Sequence, residues 1–243
     1  PQVVARVQAL MEPKEILIAD GHHRYETSLA YMVENPRNEL TRYRMMALVN
    51  MSNPGLVILP IHRCIKGIKD FQAETLLKGL RRNFDARAYP SDKPGARAAV
   101  LDEIRRRQAA GGHAFVLLMQ DGAHWVLTLR DEQSMNAIQG HSDAWRRLDV
   151  TVLHQLILEP LLGITPERLT AESNLEYVHD FPHAIDAAAE EVRAGRCQAL
   201  FLLNPTRVEE VQAVAQNHER MPQKSTYFYP KMYGGMVFYR MTE

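Results

Sequence analysis

Residues 16–26 read ILIADGHHRYE, and this stretch changes its hydrophobic period in the middle. The apolar run at 16–19 predicts a short strand, and Asp20-Gly21 predicts a tight turn. Beyond the turn, apolar residues at positions 25, 29 and 32 have helical spacing, which predicts a helix beginning near His22. Strand, turn and helix in close succession are typical of an α/β protein.

The rest of the chain continues this alternation. Asp121-Gly122 stands between two apolar runs and predicts a hairpin, because glycine accepts the positive φ of a tight turn. The predicted class is α/β of the mixed α+β type, with a mixed sheet, flanking helices and one antiparallel hairpin. We expect one domain over residues 1–243, with a possible subdomain boundary near 131–143. Predicted strands cover 44–50, 56–61, 114–120, 123–129, 176–179, 198–203 and 235–239, and predicted helices cover 71–84, 96–108, 148–162, 182–194 and 208–218.

Composition excludes several classes of function. The 243 residues carry 29 basic and 29 acidic side chains, so no overall field attracts nucleic acid or an anionic membrane. No apolar run reaches the roughly 18 residues that cross a bilayer, and the N-terminus lacks a signal pattern. Cys64 and Cys197 form neither a CxxC nor a Cys/His cluster, which favours a reducing compartment and predicts no metal site. We expect a cytoplasmic protein whose partners are small molecules; its oligomeric state is not encoded in these features.

The DGHHR turn carries the strongest chemical signal. His22, His23 and Arg24 fall in the first turn of the predicted helix, where backbone N–H groups lack partners and the helix dipole is positive. Such a helix end binds anions, and a guanidinium can hold two phosphate oxygens at once. Asp20 could cap the helix or fix a histidine tautomer. Alternatively, Asp20 is only an N-cap, one histidine packs in the core, and Arg24 pairs with an acid.

A second polar cluster lies within MPQKSTYFYPK, residues 221–231. Lys224, Ser225 and Thr226 could hold phosphate oxygens, although the absence of GxxxxGK excludes a Walker loop. Alternatively, the aromatic residues 227–229 only anchor the chain to the sheet. We expect this cluster to meet the DGHHR turn in one pocket. His62 and Arg63 close the predicted strand 56–61, where α/β sheets often bind ligands, but a solvated strand end explains them equally well.

Five segments together resemble the family known as domain of unknown function 1015 (DUF1015): IADGHHRYETSLAY, LVILPIHR, LDVTVLHQLILEPLLGI, LLNPTRVEEVQAVA and MPQKSTYFYPK. Members usually carry a further N-terminal region, so the resemblance implies that this chain, which begins at Pro1, is the C-terminal part of a longer protein. The DGHHR element is also similar to the ParB/sulfiredoxin-like fold. That fold includes free serine kinases and nucleotide-binding partition proteins.

The second resemblance implies a function. It assigns Gly21, His22, His23 and Arg24 to nucleotide phosphates, with Asp20 shaping the turn, and it makes His22, His23 and Arg24 the candidate catalytic residues. The implied activity is a nucleotide-dependent phosphotransferase that uses ADP or ATP with Mg²⁺ on a small hydroxyl metabolite such as serine. The alternative is a nucleotide-sensing module without turnover. Because the kinase's acidic residue lies upstream of the motif, we expect this chain alone to be catalytically incomplete.

Overall fold

The structure is a computed structural model and describes residues 1–90, 95–165, 168 and 174–241. The chain divides into two compact units. The smaller contains Pro1–Val57 and Pro230–Glu243, and the larger contains Ile58–Tyr229. Segment 131–143, suggested as a subdomain boundary, lies within the larger unit.

The larger unit is built on a six-stranded sheet. All five pairings in this sheet are antiparallel, so the chain adopts the α+β form of the predicted class with an antiparallel sheet where a mixed one was expected. Strands β1 (Val57–Leu59) and β8 (Tyr227–Tyr229) form a separate two-stranded sheet. The six-stranded sheet contains β2 (Ile61–Ile65), β3 (Phe84–Tyr89), β4 (Ala114–Leu118), β5 (His124–Leu129), β6 (Leu175–His179) and β7 (Ala199–Leu202). Their order across the sheet is β3-β5-β4-β7-β2-β6.

Side-chain alternation along the central strands gives this sheet two buried faces. Phe115 and Phe201 belong to one core cluster, whereas Val116 and Leu200 belong to the other. Successive side chains of a strand point to opposite faces, so both faces of β4 and β7 are covered and both strands are buried at every residue. The hairpin predicted at Asp121-Gly122 is confirmed, with β4 paired to β5 and Gly122 at φ +77°.

Helices cover both faces of the sheet. On one face α4 (Ala96–Ala109) and the helix at Ala184–Arg193 contribute Val100, Ile104 and Val192 to the core. The other face packs against α3 (Ala73–Leu80) and against a continuous helical segment. That segment comprises α6 (Asp149–Leu153), a π-helical turn (His154–Leu158) and α7 (Glu159–Leu162). The helix at Ala184–Arg193 is α8. The remaining elements of this unit are a 3-10 helix (Glu132–Ala137), α5 (Asp143–Arg146) and α9 (Val208–Gln216).

The smaller unit consists of helices and irregular chain. It contains α1 (Gln2–Met11), α2 (His22–Glu34) and a 3-10 helix (Glu39–Arg42). Two hydrogen bonds tie the C-terminal residues to it: Asn38 Nδ2 donates to Met241 O (2.7 Å), and Tyr239 Oη donates to Leu40 O (2.9 Å). The strands predicted at 16–19, 44–50 and 235–239 are wrong, because these segments form no ladder and leave large apolar side chains exposed.

The two cysteines are neighbours in space. Cys64 lies in β2, and Cys197 shortly precedes β7, which pairs with β2. The structure joins them in a disulfide between Cα atoms 5.9 Å apart, across a sequence separation of 133 residues. The reducing compartment expected from the spacing of the cysteines does not account for this bond, which the antiparallel pairing of β2 with β7 makes possible.

Candidate functional site

The turn before α2 has the form that the sequence predicts. Gly21 is the N-cap and has φ +84° and ψ +30°, a left-handed conformation that glycine adopts without the strain of a Cβ atom. Among the described residues no side chain caps the helix, so Asp20 is not the N-cap that one interpretation expected. The first intrahelical hydrogen bond runs from Tyr25 N to Gly21 O. The N–H groups of His22, His23 and Arg24 therefore lack intrahelical acceptors.

Asp20 holds two cations beside this turn. Its Oδ2 accepts a hydrogen bond from Arg24 Nη2 (3.3 Å), and its Oδ1 accepts one from Lys231 Nζ (3.0 Å). The Arg24 side chain folds back over the turn, since a Cβ atom on Gly21 would lie 2.9 Å from Arg24 Nη2. Asp20 therefore fixes two cations rather than a histidine tautomer. Sequence reasoning missed Lys231, which closes the MPQKSTYFYPK segment 211 residues after Asp20.

The two histidines of the motif are exposed. The His23 side chain is fully accessible, with Nδ1 3.6 Å from Glu26 Oε2, and His22 is also exposed. The alternative in which one histidine packs in the core is therefore wrong. Arg24 and Lys231 carry one more charge than Asp20, and the carboxylate of Glu26, beside His23, offsets it. Exposed ion pairs contribute little to stability, about 0 to 1 kcal/mol, so an incoming anion can replace them at small cost.

The second predicted cluster lies in the larger unit. Lys224 is exposed and has φ +53°, and its carbonyl oxygen accepts a hydrogen bond from Arg63 Nη2 (2.8 Å). Ser225 is buried, its Oγ has no hydrogen-bond partner among the described residues, and its carbonyl accepts from Thr206 Oγ1 (2.9 Å). Thr226 is half-buried. Because the DGHHR turn belongs to the smaller unit, the expected common pocket stays a prediction. The aromatic residues 227–229 form β8, which pairs with β1 in the two-stranded sheet.

Arg63 has an environment that the sequence did not reveal. Pro60 separates β1 from β2, so His62 and Arg63 lie inside β2 and are buried. The interpretation of these two residues as a solvated strand end is therefore wrong. Arg63 Nη1 donates to Ile61 O (2.5 Å), and its Cζ lies 4.8 Å from the Tyr177 ring centroid. Within the described residues no carboxylate pairs with this guanidinium, and its Nε has no hydrogen-bond partner. Burial lowers the pKa of Arg63 to about 10, so it stays charged at neutral pH.

The charge on Arg63 acts on a nearby histidine. His154, in the π-helical turn, has a buried Nε2 without a hydrogen-bond partner in the described structure. Burial, and secondly the positive charge of Arg63, lower the pKa of His154 to about 3. The neutral imidazole therefore lies beside a buried cation without adding to its charge. A strand position among apolar neighbours was the only signal in the sequence that pointed to a buried arginine.

The chain belongs to a family of proteins of unknown function, DUF1015, whose model matches residues 1–151. No curated protein shows a significant match. Three solved structures show low similarity. Free serine kinase in complex with AMP is 15% identical with a TM-score of 0.45, and the match covers 89% of this chain and 69% of that chain. A free serine kinase mutant with ADP is 14% identical (TM-score 0.44, covering 93% of this chain and 79% of that chain), and a conserved hypothetical protein from Pyrococcus furiosus is 14% identical (TM-score 0.42, covering 88% and 70%). The architecture described above rests on this chain's own strands and helices.

Two further findings concern metal ions and membranes. Among the described residues, no group of three or more His, Cys, Asp or Glu side chains is arranged to hold a metal ion. In the same part of the chain, every helix is too short or too polar to cross a bilayer.

Proposed function

We propose that the N-terminus of α2 binds the phosphate groups of a nucleotide, ADP or ATP. One observation carries the proposal: a single carboxylate, Asp20, holds Arg24 and Lys231 beside an uncapped, left-handed turn. A helix N-terminus alone offers N–H groups and a positive dipole. Here two cationic side chains lie beside those donors, and one of them comes from the distant end of the chain.

Binding follows from an exchange of anions. Phosphate oxygens accept hydrogen bonds from the N–H groups of His22, His23 and Arg24, and the Arg24 guanidinium turns from Asp20 to the phosphate. Hydrogen bonds between charged groups contribute about 1.5 to 3 kcal/mol each, more than the exposed ion pair that is given up. His22 and His23, which are exposed at the same turn, add ring N–H donors.

The residues present fit a nucleotide better than a resident metal ion. Both oxygens of Asp20 already accept hydrogen bonds from cations, and no metal-binding group occurs among the described residues. Mg²⁺ usually keeps several waters and binds through substrate phosphates with one or two carboxylates. In this proposal it enters with the nucleotide.

The finer proposal is a phosphotransferase that acts on a small hydroxyl metabolite such as serine, as the motif resemblance implies. Phosphoryl transfer depends mainly on positioning and charge neutralisation, so Arg24 stabilises the transferred group while His22 or His23 donates to an oxygen. In the larger unit, Lys224, Ser225 and Thr226 remain proposed phosphate contacts. Two observations support that assignment: Ser225 Oγ has no partner in the part of the chain that the structure describes, and Arg63 carries a buried charge.

One observation favours the alternative, a sensor that binds nucleotide without turnover. A kinase needs a carboxylate that orients the acceptor hydroxyl and receives its proton. At this turn Asp20 contacts two cations, and Glu26 lies against His23. Both carboxylates already have partners before a phosphate draws Arg24 away, and a sensor needs no base.

The experiment measures nucleotide binding and turnover on the same samples. Calorimetry with ADP and ATP, each with and without Mg²⁺, compares the unchanged chain with Arg24→Gln and with Arg37→Gln, an exposed arginine of the same unit. We expect Arg24→Gln to weaken binding at least tenfold, the equivalent of about 1.4 kcal/mol, and Arg37→Gln to leave it unchanged. Equal affinities for all three would contradict the site. Tight binding without phosphorylation of serine would favour the sensor.

A further inference from the structure

A cavity of about 340 Å³ opens in the larger unit beside the start of β4. Its described lining comes from four places: the end of α4 with the loop that follows it, the end of α5, the start of α6 and the first two turns of α9. The polar lining residues include His113, Arg147, Asp149 and Glu209. Pockets for small molecules begin at about 300 Å³, so this volume suits a metabolite of a few heavy atoms.

A buried histidine and a buried carboxylate form a pair on the cavity wall. His113 Nδ1 lies 2.7 Å from Asp149 Oδ1, and each of the two side chains is 9% exposed. An ionised carboxylate only accepts hydrogen bonds, so Nδ1 carries the proton of the neutral ring and Nε2 carries the lone pair. Asp149 therefore fixes both the tautomer and the orientation of the imidazole.

The second ring nitrogen of His113 is open to the cavity. Within the described residues His113 Nε2 has no hydrogen-bond partner. It nevertheless keeps accessible surface, whereas His154 Nε2 in the same unit is enclosed. Polar atoms of buried side chains normally have a hydrogen-bond partner. Because His113 is otherwise buried and lines the cavity, its Nε2 offers an acceptor to a molecule bound there.

Two charges of opposite sign line the same cavity without direct partners. Arg147, which follows α5, is exposed, and its guanidinium makes no ion pair or hydrogen bond with any described residue. Within the same described part of the chain, the carboxylate of Glu209, in the first turn of α9, also has neither. The other charged pair on the wall, Arg207 with Glu210, is already joined at 2.9 Å. Arg147 and Glu209 can therefore each bind a ligand group of opposite charge.

We propose that this cavity binds a small zwitterion, with an ammonium and a carboxylate on a short carbon chain, at a site separate from the turn before α2. The ligand carboxylate accepts hydrogen bonds from the Arg147 guanidinium, which matches two carboxylate oxygens at once. The ammonium donates to the Glu209 carboxylate and to His113 Nε2. Three carboxylates and two guanidinium groups occur among the described lining residues, which disfavours a simple anion, and a simple cation would leave Arg147 without a partner.

The experiment uses glycine, β-alanine and γ-aminobutyrate as probes, with acetate and methylamine as controls that carry one charge each. Affinities are measured by calorimetry on the full chain and on Arg147→Gln and Glu209→Gln. We expect at least one of the three zwitterions to bind saturably, and acetate and methylamine to bind at least tenfold more weakly. Either substitution should weaken binding of that zwitterion at least tenfold. Acetate binding as tight as that of the zwitterions would overturn the proposal.

Matched controls remove exposed charges of the same unit that lie outside the cavity. Arg81→Gln and Glu74→Gln should change the affinity less than twofold; Glu74, like Glu209, lies in the first turn of a helix. Arg24→Gln should leave the affinity unchanged, which distinguishes this site from the proposed nucleotide site. A loss in any of these controls equal to that of Arg147→Gln would overturn the assignment.

The His113 ring gives an independent readout in the unchanged chain. Its imidazole resonances should shift when the chain is titrated with the zwitterion that calorimetry finds to bind most tightly. An unperturbed ring at saturation would overturn the proposal, and so would the absence of saturable binding by all three zwitterions.

Discussion

Replacing Gly21 by alanine separates the geometry of the α2 turn from its chemistry. Gly21 has φ +84°, where a Cβ atom costs about 1 to 2 kcal/mol. The added Cβ would also lie 2.9 Å from Arg24 Nη2 and 3.1 Å from Arg24 Nε, too close for either contact to persist. Gly21→Ala should therefore strain the turn and displace the guanidinium that covers it.

Gly140→Ala is the matched control for backbone strain. Gly140 has φ +80°, and a Cβ atom there would meet nothing within 4 Å. Both substitutions should lower the free energy of unfolding by a similar amount, about 1 to 2 kcal/mol, measured by urea denaturation. Only Gly21→Ala should weaken nucleotide binding, because only this change moves Arg24. Losing one charged hydrogen bond of about 1.5 to 3 kcal/mol corresponds to roughly a tenfold to hundredfold weaker Kd.

The calorimetric comparison has a clear refuting result. If Gly21→Ala binds ADP as tightly as Gly140→Ala does, the position of Arg24 over the turn is irrelevant to binding, and the reasoning fails. If Gly140→Ala weakens binding as much as Gly21→Ala, the loss reflects general destabilisation and gives the turn no special role.

The remaining predictions concern charges at the turn and in the core. Asp20→Asn should strengthen binding of inorganic pyrophosphate severalfold in calorimetry, because the carboxylate competes with phosphate for Arg24 and Lys231; weaker binding would show that Asp20 instead organises the site. Lys231→Gln should weaken pyrophosphate binding at low salt and much less at high salt, since exposed charges are screened over about 10 Å at 0.1 M ionic strength; a loss independent of salt would count against a charge effect. His154 has its pKa lowered from 6.5 to about 3, so its contribution to stability is complete above pH 6.5 and is lost as pH falls toward 3, by up to about 4 to 5 kcal/mol. Urea denaturation should show that the free energy of unfolding falls less between pH 7 and pH 4.5 for His154→Leu than for the unchanged chain. His183→Gln, at an exposed histidine, should show the same fall as the unchanged chain.

Much of the larger unit could be predicted from local patterns. Helices near 96–108, 148–162, 182–194 and 208–218 and strands near 114–129, 176–179 and 198–203 all occur, because each pattern there reflects burial against the sheet. The predicted helix 71–84 is too long, since α3 ends at Leu80 and Phe84 begins β3. Gly79 lies one residue before the end of α3, but β3 carries charged residues that hide its strand character.

The smaller unit was predicted less well for the opposite reason. Its apolar runs at 16–19, 44–50 and 235–239 look like strands, yet Ile16, Leu48 and Phe238 are more than half exposed and belong to no sheet. Hydrophobic periodicity signals secondary structure only where the apolar side chains pack. The turn at Asp20-Gly21 succeeded because glycine's conformational freedom is a local property.

The candidate site likewise combines features that local sequence predicts with contacts that only the tertiary fold reveals. The open helix end and Arg24 follow from the order of residues in DGHHR. The contacts of Asp20 with Lys231 and of Arg63 with Lys224 join residues 211 and 161 positions apart, so only the tertiary fold could reveal them.

The most direct test of the central claim is an NMR titration of the ¹⁵N-labelled chain with ADP, followed at the backbone amides of His22, His23 and Arg24. These N–H groups lack intrahelical acceptors, so bound phosphate oxygens should shift their resonances strongly and saturably. Arg24→Gln should raise the Kd obtained from this titration at least tenfold, the equivalent of about 1.4 kcal/mol. Saturable binding of ADP that leaves these three amides unperturbed would contradict the account, because the nucleotide would then be held elsewhere.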